Sequence, residues 1–108
     1  MIFQVVAGVK AEDIDAVADS LAVLLGSSYE RRSSLYFGEY NVFSCPETLV
    51  VKYNFVESEG EWDEPDYQHL HVLVRAGETE RPEFFRSLVA RLQLETEVVR
   101  YREWDAAT

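Results

Sequence analysis

A chain of 108 residues has the length of one domain, and folding at that length buries roughly 60–70% of the unfolded surface, enough for one core without disulfides or a structural metal. Twenty acidic residues against ten basic ones leave a formal net charge of −10, which repels phosphate backbones, argues against nucleic acid as a partner and speeds encounter with basic proteins. One cysteine, Cys45, allows no internal disulfide, no apolar run approaches the roughly 18 residues of a membrane span, and Met1–Val6 is too short for a signal peptide, so the expectation is a cytoplasmic protein that uses no membrane.

Ile2 to Val9 is rich in β-branched residues and apolar on both faces except at Gln4, the pattern of a central, doubly covered strand. Ala11 to Leu25 reads as a helix. Ile14, Val17, Ala18, Leu21, Leu24 and Leu25 share one face, Glu12, Asp13 and Asp15 suit the positive end of its dipole, and Gly26 ends it. Tyr29 to Cys45 is β-rich, and Gly38 either bulges one long strand or separates two. Pro46 stops it. In Thr48 to Val56, Leu49, Val51, Tyr53 and Phe55 alternate with Thr48, Val50, Lys52 and Asn54, as in a half-buried strand.

Glu57 to Tyr67 is a polar loop with Gly60 and Pro65, and Gln68 to Arg75 is a strand with Leu70, Val72 and Val74 inward. Gly77 to Thr79 forms a turn, and Pro82 opens a second helix whose buried stripe is Phe85, Leu88, Val89 and Leu92. Glu97 to Trp104 is a final strand with Val99 and Tyr101 on one face. The order β-α-β-β-(β)-α-β predicts one α+β domain over residues 1–108: a two-layer, ferredoxin-like sandwich, its sheet mainly antiparallel and both helices on one face. The other face is then solvated or covered by a partner.

The strongest chemical signal is acidic. Glu57, Glu59, Glu61, Asp63, Glu64 and Asp66 place six carboxylates in ten residues, with Trp62 and Tyr67 among them and no lysine or arginine from Tyr53 to Val74. A solvated loop that aids solubility fits this composition. So does a recognition loop for a basic protein surface, with aromatic anchors and carboxylates that pair with arginine or lysine. A calcium loop fits less well, because the spacing departs from the EF-hand pattern and its glycine is missing.

His69 and His71 stand two apart on a strand and share a face, as surface histidines or as two of the three ligands a metal needs; they are the only histidines. Cys45 reads as a small, partly buried strand residue, since nothing in the sequence supplies the base that a catalytic thiol requires. Tyr36, Phe37, Tyr40, Phe43, Tyr53 and Phe55 are core or, if they face the open side of the sheet, an apolar platform. No G-x-S-x-G motif or glycine-rich phosphate loop occurs, so no catalytic residue, cofactor or metal is assigned.

The stretch Leu35-Tyr36-Phe37-Gly38-Glu39-Tyr40, the run Glu61-Trp62-Asp63-Glu64-Pro65-Asp66-Tyr67 and the two-helix order resemble small bacterial immunity proteins of toxin–immunity systems, including contact-dependent growth inhibition. That resemblance implies a non-catalytic inhibitor whose partner is a toxin domain, often a basic nuclease. Met1 to Leu25 is similar to the opening of dimeric α/β-barrel proteins, which implies a homodimer that binds a small molecule or acts as a cofactor-free enzyme. The long middle β region and the acidic loop depart from that second pattern. The reading taken forward is a protein-binding domain that contacts a basic partner through Glu57, Glu59, Glu61, Trp62, Asp63, Glu64, Asp66 and Tyr67.

Overall fold

The computed structural model describes residues 2–35, 38–54, 72–94 and 96–105. In chain order these form β1 (Phe3–Val9), α1 (Ile14–Leu25), β2 (Glu30–Ser34), β3 (Gly38–Phe43), β4 (Leu49–Tyr53), β5 (Val72–Thr79), α2 (Pro82–Leu92) and β6 (Val98–Asp105). The strands make one sheet in the order β2-β3-β4-β5-β1-β6, and each pair of neighbours is antiparallel. The architecture is α+β. Gly38 separates two strands: with φ +69° it begins β3 opposite Ser34, in a conformation that glycine adopts without a Cβ clash.

Both helices pack on one face. α1 lies over β3 and β4, α2 over β1 and β6, and the two helices touch. The core between layers joins Ile14, Val17, Ala18 and Leu21 of α1 and Phe85, Leu88 and Leu92 of α2 to Val5, Ala7, Val9, Phe43, Leu49, Val51, Val72 and Val74 of the sheet. Each large aliphatic side chain buried in this way contributes about 1.5–3 kcal/mol. β1 is buried from Val5 to Val9 on both sides, as its uninterrupted apolar run predicts.

α1 starts three residues later than its apolar spacing suggests. Asp13 is extended (φ −128°, ψ 122°) and its carboxylate accepts the Asp15 N–H at 2.9 Å, so it caps the helix and is not part of the first turn. Gly26, at φ +63°, closes the other end and donates its N–H to the Ala22 carbonyl. In α2, Pro82 occupies the first turn, Glu83 follows it and Arg91 lies in the last turn, charges that match the helix dipole. Gly77–Thr79 is strand and not turn: Thr79 still pairs with Phe3, and a register shift between Phe3 and Val5 absorbs one extra residue of β5.

The sheet face away from the helices departs from the expected solvated surface. Val6 and Leu73 are fully buried there with Trp104 packed against them, and Lys52 and Asn54 are only 0% and 1% exposed. Buried polar groups require partners, and Lys52 Nζ donates to the Tyr53 carbonyl at 2.8 Å. Strand alternation also places Arg32, Arg75 and Arg102 on this face, with the Arg102 guanidinium 4.5 Å from the centre of the Trp104 ring. No described helix is long and apolar enough to cross a membrane.

Candidate interaction surface

β4 ends at Tyr53, and β5 begins at Val72, the residue paired with it across the ladder. Residues 54–71 stand between them in the chain and carry the six clustered carboxylates. Glu57, Glu59, Glu61, Trp62, Asp63, Glu64, Asp66 and Tyr67 lie outside the described residues, as do His69, His71, Tyr36, Phe37 and Phe55. What the structure gives is where this stretch is anchored. Because strand direction alternates across the sheet, β2 and β4 run the same way. The β2–β3 connection at Ser34 and Gly38 and the β4–β5 connection at Tyr53 and Val72 therefore emerge from one end of the sheet. Residues 35–37 and 54–71 thus leave and re-enter the sheet at the same end.

Beside these anchors lies a polar cluster between α1 and the β2–β3 hairpin. Arg31, paired with Asn41 across the ladder, donates from Nε to Asn41 Oδ1 at 2.9 Å and from Nη1 to Glu39 Oε2 at 3.1 Å, and its Nη2 contacts Asp15 Oδ1. The fully buried Asn41 returns Nδ2 to Asp15 Oδ1 at 2.9 Å. One turn along α1, Tyr29 donates its hydroxyl to Asp19 Oδ1 at 2.6 Å. The hydrogen bond from Arg31, then that from Asn41, holds the Asp15 carboxyl below its ordinary value, while the bond to Asp19 pushes the Tyr29 phenol up to about 12. Asp15 and Glu39 engage the guanidinium and Asp19 engages Tyr29, so the three carboxylates of this corner leave a negative excess over Arg31.

Sequence reading passed over this cluster, although its signal is geometric. Asp15 and Asp19 stand four residues apart on a helix, about 6 Å along its axis. Tyr29 immediately precedes β2 and Arg31 lies within it, two residues on, a step of about 6.6–6.8 Å in extended chain. The matched steps let both pairs bond at once. An open cleft of about 430 Å³ adjoins Glu39, lined by Ser33, Ser34, Gly38, Glu39 and Tyr53.

A second clamp joins α2 to β6. Arg86 grips Glu103 with a fork, Nε to Oε2 at 2.9 Å and Nη2 to Oε1 at 2.7 Å, and the Tyr101 hydroxyl donates to Oε2 at 3.0 Å. Arg86 chiefly holds the Glu103 carboxyl low, and burial, seconded by Glu103, pushes the Tyr101 phenol up.

Other sequence candidates are placed differently from expectation. Phe43 and Tyr53 point toward the helices, where Phe43 is core, and so contribute nothing to an aromatic platform on the opposite face; the pleat sends Tyr40 there. Cys45 lies beyond the end of β3 and is exposed, because the chain leaves the sheet at Phe43; its carbonyl accepts the Ser27 hydroxyl at 2.7 Å. Among the described residues, no three His, Cys, Asp or Glu side chains converge as a metal site requires. Comparison with protein-family models, curated proteins and solved structures gives no match to this chain.

Proposed function

We propose that this chain is a non-catalytic protein-binding domain that holds a basic partner through the stretch from Glu57 to Asp66, with Trp62 and Tyr67 as aromatic anchors. The observation that carries this reading is the concentration of charge. Six of the ten net negative charges sit in the connection between β4 and β5, leaving −10 − (−6) = −4 for the rest of the chain. Carboxylates steer a basic surface in, and a few aromatic residues carry most of the affinity. The resemblance to bacterial immunity proteins supports a toxin domain as the partner class, and the cytoplasm is the compartment proposed for the encounter.

The architecture is read as ferredoxin-like. Strands β4-β5-β1-β6, with α1 between β1 and β4 in the chain and α2 between β5 and β6, follow the βαββαβ order, and β2–β3 is a hairpin added at the β4 edge. The competing reading, a small-molecule-binding or enzymatic homodimer joined through the sheet face away from the helices, is weakened by the burial of Val6, Leu73 and Lys52 there within a single chain.

The test replaces Glu57, Glu59, Glu61, Asp63, Glu64 and Asp66 by their amides. Tagged wild type captures its partner from source-cell lysate, and affinities for that purified partner are compared at low and high salt. The variant is expected to bind at least tenfold more weakly, with a shallower salt dependence. Equal affinity and equal salt dependence would remove the acidic stretch from the interface.

A further inference from the structure

Resting on that reading, we propose that the cleft bounded by Ser33, Ser34, Gly38, Glu39 and Tyr53 receives an arginine side chain of the partner. The cleft is open, and its volume of about 430 Å³ leaves room for a side chain to lie in it; its lining has the chemistry of a guanidinium seat. Glu39 is 66% exposed, and Arg31 engages its Oε2. A carboxylate accepts at two oxygens, so the group can bridge Arg31 and an incoming donor. Tyr53 adds an aromatic side chain to the lining, a type that favours planar cations, and the Ser33 hydroxyl can accept an N–H group that a carboxylate leaves over.

Arginine fits better than lysine because five donors in a rigid plane use a carboxylate, a hydroxyl and a ring together, whereas an ammonium is a point charge. Local electrostatics agree, since Asp15, Asp19 and Glu39 outnumber Arg31 on this side of the molecule. Position ties the cleft to the acidic stretch. Tyr53 is both a wall of the cleft and the last residue of β4, from which that stretch departs. The acidic stretch begins four residues further along the chain, and the stated occupant is therefore a side chain of the same basic protein and not a free metabolite.

The experiment titrates ¹⁵N-labelled full-length protein with N-acetyl-arginine amide, using N-acetyl-citrulline amide as the uncharged isostere. Saturable shifts centred on the amides of Ser33, Ser34, Gly38, Glu39 and Tyr53, seen with the arginine probe and not with citrulline, support the cleft. Glu39→Gln, which keeps an oxygen for Arg31, is expected to weaken the probe about tenfold and partner binding by a similar factor. Tyr53→Leu is a second variant that removes the ring and its hydroxyl while keeping an apolar side chain against the core, and it is expected to weaken the probe as well. The sixfold amide variant of residues 57–66 is expected to bind the probe as wild type does. No saturable shift, equal response to citrulline, or partner affinity unchanged by Glu39→Gln overturns the proposal. If the probe binds the cleft and Glu39→Gln weakens the partner while the sixfold variant holds that partner normally, the cleft stands and the acidic-stretch reading falls.

Discussion

Asn41 is the polar residue most completely used by this fold: its amide oxygen takes Arg31 and its nitrogen gives to Asp15, so a group with no solvent exposure leaves neither end unpaired. Phe43, two residues along the same strand, is its apolar counterpart, fully buried with its ring 5.4 Å from that of Tyr29. Phe43→Ala is expected to cost about 3–5 kcal/mol, a large part of the roughly 5–15 kcal/mol that holds a domain together. Urea unfolding should show it as a lower midpoint with an unchanged slope. Glu103 gives a pH-dependent counterpart. Its carboxyl lies below the ordinary value of 4.5 in the folded chain because of Arg86, so the pair contributes fully above that value. As pH falls through it, the unfolded chain takes up the proton first and the contribution is lost. Glu103→Gln should therefore destabilise the protein at pH 7 and differ little from wild type near about pH 2, as read from urea midpoints at both pH values.

Each edge of the sheet is tied to a helix by an arginine and a carboxylate, β2–β3 to α1 through Arg31 and Asp15, β6 to α2 through Arg86 and Glu103. Edge strands have one unpaired side and little burial of their own; all five residues of β2 are exposed. The Arg31 clamp is thus a main attachment of the outer hairpin to the layer above it. Arg31→Ala is expected to release β2 preferentially. Hydrogen exchange at amides of Glu30–Ser34 should accelerate at least tenfold while those of Val5–Val9 and Val72–Val74 keep their protection. Uniform loss across the sheet would mean that the clamp supports the whole domain.

Over the whole molecule, where the negative charge sits matters more than its sum. Asp15, Asp19 and Glu39 gather at the α1 corner, and the six clustered acids follow β4 in the chain. A basic partner approaching this field is oriented before contact. For the sixfold amide variant, the loss should therefore fall mainly on the association rate, by about 10–10³ at low ionic strength, and shrink once the Debye length drops below the spacing of the charges. Stopped-flow association with the purified partner at two salt concentrations reads this directly. A loss confined to the dissociation rate would assign those carboxylates to close contact and not to steering.

Much of this organisation is legible in one dimension. The helix stripes Ile14-Val17-Ala18-Leu21 and Phe85-Leu88-Leu92, the double-sided burial of β1, and the inward set Leu49, Val51, Val72 and Val74 follow from periods of 3.6 and 2, because burial of apolar surface dominates and local geometry alone decides which side chains share a face. The concentration of carboxylates at residues 57–66 is likewise a property of the sequence. Which strands lie next to one another, that Gly38 divides two strands, that Lys52 and Asn54 are buried, and that Arg31 bridges Asp15, Asn41 and Glu39 are decided only by tertiary structure. These features join residues far apart in the chain: Asp15 and Asn41, 26 positions apart, share one cluster, and Phe3 pairs with Asp105. Their energies depend on pairing and desolvation in three dimensions, to which no local period is sensitive.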